Sequence, residues 1–118
     1  MEAALRILLV DDDLEVRSTF CAMLTAHGHE VVEADNGEAG LKAFQEQGPL
    51  YAVLSDYSMP KLNGVQMVEA ILKIRPTIHC AIASGEFSKE CLIPQGVAFL
   101  KKGFIAWERL AAALKLAA

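Results

Sequence analysis

Leu8-Leu9-Val10-Asp11-Asp12-Asp13 decides the fold, because an apolar run with strand character ends, without a spacer, in three adjacent carboxylates. Like charges a few ångströms apart raise one another's pKa and oppose folding. The cluster therefore calls for a cation, either a bound hard metal ion or a nearby lysine. The pattern recurs at Tyr51-Ala52-Val53-Leu54-Ser55-Asp56, a second apolar run closed by an aspartate. Strands of a parallel sheet read as such runs because helices cover both faces of the sheet. Two neighbouring strands of this kind bring their terminal carboxylates to one edge, where they would line an oxygen-rich site of Mg2+ size.

Working outward, short strand-type runs alternate with helical patterns, the signature of a doubly wound α/β domain. The spacing predicts strands over about Leu5 to Val10, Glu30 to Ala34, Tyr51 to Ser55, Ile78 to Ala83 and Val97 to Leu100. A helix over Leu14 to Ala26 places Val16, Phe20, Met23 and Leu24 on one face and stops at Gly28, with Glu15, Arg17 and Ser18 on its polar side. Asp35-Asn36-Gly37 makes a turn whose side chains can cap a helix over Glu38 to Gln47, and Gly48-Pro49 ends it. A third helix runs over Val65 to Ile74, and a last one, over Ile105 to Leu116, repeats Trp107, Leu110 and Leu114 at core spacing. Between the fourth and fifth strands, Ser88 to Ile93 is weakly helical, limited by Pro94 and Gly96 to a turn or two.

The composition narrows the classes of function. A chain of 118 residues is expected to form one domain over its whole length, 1–118. With 53% hydrophobic against 22% charged residues it is not a disordered segment. A net charge of −4 and no Lys/Arg cluster leave no electrostatic track for nucleic acid, so protein partners are expected. Cys21, Cys80 and Cys91 are odd in number and lack metal-ligand spacing, which reads as small thiols in a reducing compartment. No run approaches the ~20 apolar residues of a membrane span, and the first apolar run is cut by aspartates, unlike a secretory leader. A cytoplasmic location is the expectation.

Ligands of doubly wound sheets collect at the carboxyl ends of the strands, beside the point where strand order reverses. There the reading places Asp11 and Asp12, Asp56, Ser84 and Lys102. The segments ILLVDDD, LSDYSMPKLNG, AIASG and FLKKGF, in this order and across essentially the whole chain, resemble the signature blocks of the receiver domain of two-component response regulators. The resemblance implies a flavodoxin-like, five-stranded parallel sheet of order 2-1-3-4-5; the handedness and layering rules alone do not single out that order.

It implies further that Asp56 is the phosphoacceptor, attacking a phosphoryl group carried on a histidine of a sensor kinase or phosphotransfer protein. Asp12 matches the direct Mg2+ ligand and Asp11 the acid that usually acts through water, with Asp56 itself and the backbone carbonyl of Ser58 completing the protein ligands. Asp13 is left as the cap of the first helix. Lys102, two residues before Phe104, matches the phosphoryl-binding lysine, strand alternation turning Lys101 away. Ser84 and Phe99 match the hydroxyl and aromatic that switch together and alter a protein-binding surface. His27, His29 and His79 resemble no ligand cluster and read as surface or element-end residues.

Two departures stand out. Gly103 replaces the proline that usually follows the lysine, so no cis peptide is expected there. Ser84 and Lys102 also stand closer along the chain than in most relatives, which predicts a shortened or missing helix between the fourth and fifth strands. The usual output face is thereby altered, while the alanine-rich last helix permits a homodimer. The implied function is a phosphoacceptor module without an output region, not an enzyme beyond its own phosphorylation and dephosphorylation. A receiver-like domain that binds without switching is disfavoured by the intact Asp11, Asp12, Asp56, Ser84 and Lys102. A small phosphohydrolase is disfavoured by the lack of a Gly-rich phosphate loop and of a second acid/base pair.

Overall fold

The computed structural model describes residues 4–86, 90 and 92–117. Its elements follow in the order β1 (Arg6–Val10), α1 (Leu14–Ala26), β2 (Glu30–Ala34), α2 (Gly37–Glu46), β3 (Ala52–Asp56), α3 (Gly64–Ile74), β4 (His79–Ser84), β5 (Ala98–Lys101) and α4 (Trp107–Leu114). All strand pairs are parallel and the sheet order is β2-β1-β3-β4-β5. Chain order reverses between β1 and β3, so the mouth of the sheet opens beside the ends of those two strands.

Alternation of side chains along the strands builds two cores. Ile7, Leu9, Ala52, Leu54, Ala81 and Leu100 pack against Phe20 and Leu24 of α1 and Leu110, Ala111 and Leu114 of α4. Leu8, Val10, Val53, Cys80 and Ile82 point the other way, against Phe44 of α2 and Met67, Val68 and Ile71 of α3. Because both faces are covered, β3 is buried at every position, and its pairing runs one residue further than the apolar run: Asp56 lies within the strand, opposite Ala83.

The ends of the helices explain where each stops. Asp13 caps α1, its carboxylate accepting from the backbone N–H groups of Glu15 and Val16. Gly28, at φ 86°, closes it, with His29 N–H donating to Leu24 O and Gly28 N–H to Thr25 O. His29 is thus an element-end residue but a buried one, and its Nδ1 accepts from Leu5 N–H. Asn36 caps α2 and an Asn63–Gln66 capping box opens α3. The last helix is shorter at both ends than its alanine content predicts. Ala106 offers no side-chain cap, and Lys115 turns left-handed at φ 58° so that buried Leu116 folds back, its N–H on Ala111 O.

Between β4 and β5 the described residues hold no α-helix; Glu90 and Leu92 lie in 3-10 geometry, and Ile93 N–H donates to Glu90 O at 3.2 Å. Ser88, Lys89 and Cys91, part of the weak helical segment read from the sequence, lie outside the described residues. No cis peptide bond occurs, and Gly103 sits at φ 128°. No helix among the described residues is long and apolar enough to cross a membrane.

Candidate functional site

Asp11 leaves β1 almost fully buried, with 1% of its surface exposed. Its N–H donates to Ala34 O, and its Oδ1 accepts from Asp13 N–H at 2.9 Å. Asp12, the next residue, is exposed. Asp56 arrives from β3, buried and paired with β4. A carboxylate oxygen from each of Asp11, Asp12 and Asp56 lies within 4.8 Å of the others. The fourth member comes from just beyond β5: Lys102 Nζ is 2.8 Å from Asp56 Oδ1 and 3.1 Å from Asp11 Oδ2. Lys102 N–H donates to Ser84 O at 2.7 Å, which fixes where the lysine leaves the sheet. Lys102, not Lys101, reaches the acids, as alternation along β5 requires.

The close approach of Asp56 to its neighbours depends on glycine. A Cβ at Gly64 would stand 2.1 Å from Asp56 O, and one at Gly37 would stand 2.0 Å from Leu62 O. These two positions let the starts of α3 and α2 press against the turn that follows Asp56. Ser58 lies in that turn, exposed, and Lys61 within it is held at φ 72°. Ser84 ends β4, buried, with its Oγ accepting from Glu86 N–H at 3.1 Å. Phe99 is half-buried on β5 opposite Ile82, which packs on the side of the sheet covered by α2 and α3. His27 stands apart from the acids, stacked on Trp107 with ring centroids 3.7 Å apart.

Electrostatics follow from this packing. Burial pushes the Asp56 carboxyl above the usual carboxylate range; the Lys102 hydrogen bond and charge pull the other way, while the charges of Asp11 and Asp12 push with burial. Burial also works against the Lys102 ammonium, but hydrogen bonds and negative charge from Asp56 and then Asp11 outweigh it and lift the amine above its ordinary range. One ammonium thus answers three carboxylates. The remaining negative charge, offered on oxygen ligands at a partly open edge, fits a hard divalent cation.

Sequence reasoning missed two features. Arg17, read as part of a polar face, turns inward to Asp11 O and to Glu33. A cavity of about 590 Å3 opens beside Lys102, between α1 and the loop to α4, walled by Val16, Phe20, Met23, Ile105 and Trp107. Phe104 stands at its lip, 97% exposed. The Trp107 indole Nε1 is buried there without a hydrogen-bond partner among the described residues. Neither feature shows in linear spacing: the Arg17 contact is to a backbone carbonyl, and the cavity lies between elements distant in sequence.

Comparison with known proteins agrees with this geometry. Residues 7–115 match the family described as the response regulator receiver domain. The chain is 30% identical over 101 residues to the chemotaxis protein CheY of Thermotoga maritima, covering 85% of this chain and 82% of that one. It is 35% identical over 116 residues to a gliding motility regulatory protein of Myxococcus xanthus, covering 93% of this chain but 15% of that much longer protein. The response regulator TrrA of Thermotoga maritima, solved in complex with Mg2+ and BeF, superposes with a TM-score of 0.81 at 25% identity, over 93% of this chain and 96% of that one. With fold, acidic edge, bridging lysine and relatives in accord, this chain belongs to the response regulator receiver domain family.

Proposed function

We propose that the domain accepts a phosphoryl group on Asp56 from a phosphohistidine donor. The observation that carries this reading is the Asp56 carboxylate itself, buried at a strand end, 2.8 Å from a lysine ammonium and with two further carboxylates within 4.8 Å. An Asp56 oxygen attacks phosphorus, the P–N bond to the donor imidazole breaks, and that nitrogen retains the electron pair and takes a proton from solvent, leaving an acyl phosphate. Asp11, Asp12, Asp56 and the carbonyl of Ser58 would hold Mg2+, whose charge stabilises the phosphoryl oxygens in flight. Lys102 would follow the phosphoryl oxygens, a role supported by its ammonium bridging Asp11 and Asp56.

Readout follows from the added charge. Ser84 exchanges its bond to Glu86 N–H for one to the phosphoryl group, and Phe99 moves inward along β5. The partners inferred are a histidine kinase or phosphotransfer protein and a downstream protein that reads the β4–β5 side. The domain is inferred to act in the cytoplasm, over at least residues 7–115, with no chemistry on substrates other than its own acyl phosphate.

Incubation with Mg2+ and a small acyl-phosphate donor tests this. One phosphoryl adduct is expected, acid-stable and base-labile, and absent from D56N. No adduct on the wild-type chain, or an adduct that survives in D56N, would overturn the assignment.

A further inference from the structure

The side chain of Asp12 has no hydrogen bond or ion pair among the described residues, so its direction depends on the peptide that carries it. That peptide is gripped from outside the acid cluster. Arg17 Nη1 donates to Asp11 O at 2.6 Å, and Arg17 Nε lies 3.0 Å from Glu33 Oε1. The Arg17 side chain is 16% exposed, unusual for a residue on the outer part of an amphipathic helix. Glu33 belongs to β2, where it pairs with Leu9, and the next residue, Ala34, accepts from Asp11 N–H. Both peptide groups of Asp11 are therefore tied to β2, one directly and one through the guanidinium. A planar fork with donors in fixed directions suits this double attachment.

We propose that Arg17 and Glu33 form a positioning clamp that aims the Asp12 carboxylate and so sets the divalent-cation affinity of the acid cluster. The inference rests on the cation-binding reading above. It predicts a sign opposite to simple electrostatics. Removing a positive charge near three carboxylates should strengthen cation binding, whereas loosening the peptide that carries a ligand weakens it, by roughly 10–100-fold for outer supports of metal ligands. A matched control exists at the other end of the same strand pair, where Arg6 bonds Glu30 and Gln47 O, far from the acids.

The test is calorimetric titration of metal-free protein with MgCl2, alongside amide hydrogen exchange at residues 11–13 without metal. R17A should bind Mg2+ about 10-fold or more weakly and exchange faster at those amides, while R6A matches wild type in both readouts. R17K keeps the charge but not the fork, and should also lose affinity, which decides the matter if R17A does not fold. Unchanged or tighter Mg2+ binding by the Arg17 variants, or unchanged exchange, would overturn the clamp. Wild type that fails to bind Mg2+ would instead overturn the cation site itself, and the clamp with it.

Discussion

At Asp56 the packing that shapes the site opposes its charge. Its carboxyl is held above the usual range by burial. A group whose folded pKa exceeds its unfolded value adds stability below the unfolded pKa and loses it as pH rises through the folded one. In EDTA at pH 7, D56N is therefore expected to melt above wild type, and the gap should close as pH falls toward about 4, the ordinary carboxylate range. A D56N protein that melts lower at pH 7 would contradict the sign. Cys80 illustrates burial without a partner: its thiol is pushed up to about 12. It should resist a thiol reagent at pH 8 in the native protein and react once urea unfolds the chain; reaction at the native rate of an exposed thiol would count against the packing of β4 on α3. At this scale the acids, Ser84 and Lys102 were legible because each closes a strand. Arg17 was not, because a bond to a backbone carbonyl leaves no trace in side-chain periodicity.

Among the elements, α3 bears most directly on the site, because its first residue lies against the carbonyl of Asp56. G64A forces a Cβ to within 2.1 Å of that oxygen unless the helix moves, at a cost near the top of the 1–3 kcal/mol range for overpacking, about 3 kcal/mol. G28A provides the comparison, since open space surrounds that position and only the φ of 86° penalises it, by about 1–2 kcal/mol. Urea midpoints should fall further for G64A than for G28A, and only G64A should also lose phosphoryl uptake. Equal losses would mean that the turn after β3 yields easily. Helix boundaries were legible where a cap was written in residue type, as with Asp13 and Gly28 around α1. The end of α4 was not, because its left-handed position is a lysine, chosen by the burial of Leu116.

For the whole molecule, alternation of strands and helices announced a doubly wound sheet, but several strand orders satisfy the same crossover rules. Order 2-1-3-4-5 came from the resemblance and is the observed one. The order matters because it sets β1 beside β3, so a dication held between their acids would tie together the ends of two adjacent strands that contribute to both cores. Mg2+ at 100 times its dissociation constant should stabilise the domain by about 2.7 kcal/mol, a rise in Tm of several degrees. D12N should abolish most of that rise while leaving the metal-free Tm near or above that of wild type. A thermal scan that responds equally in both proteins would argue for nonspecific binding.

The single tryptophan of the chain lies five residues beyond Lys102, sandwiched against His27 and walling the cavity under Phe104. Its emission is therefore a built-in optical gauge of that corner. A change in that emission on adding MgCl2 or an acyl-phosphate donor to unlabelled protein would report rearrangement where α1, the lysine-bearing loop and α4 meet.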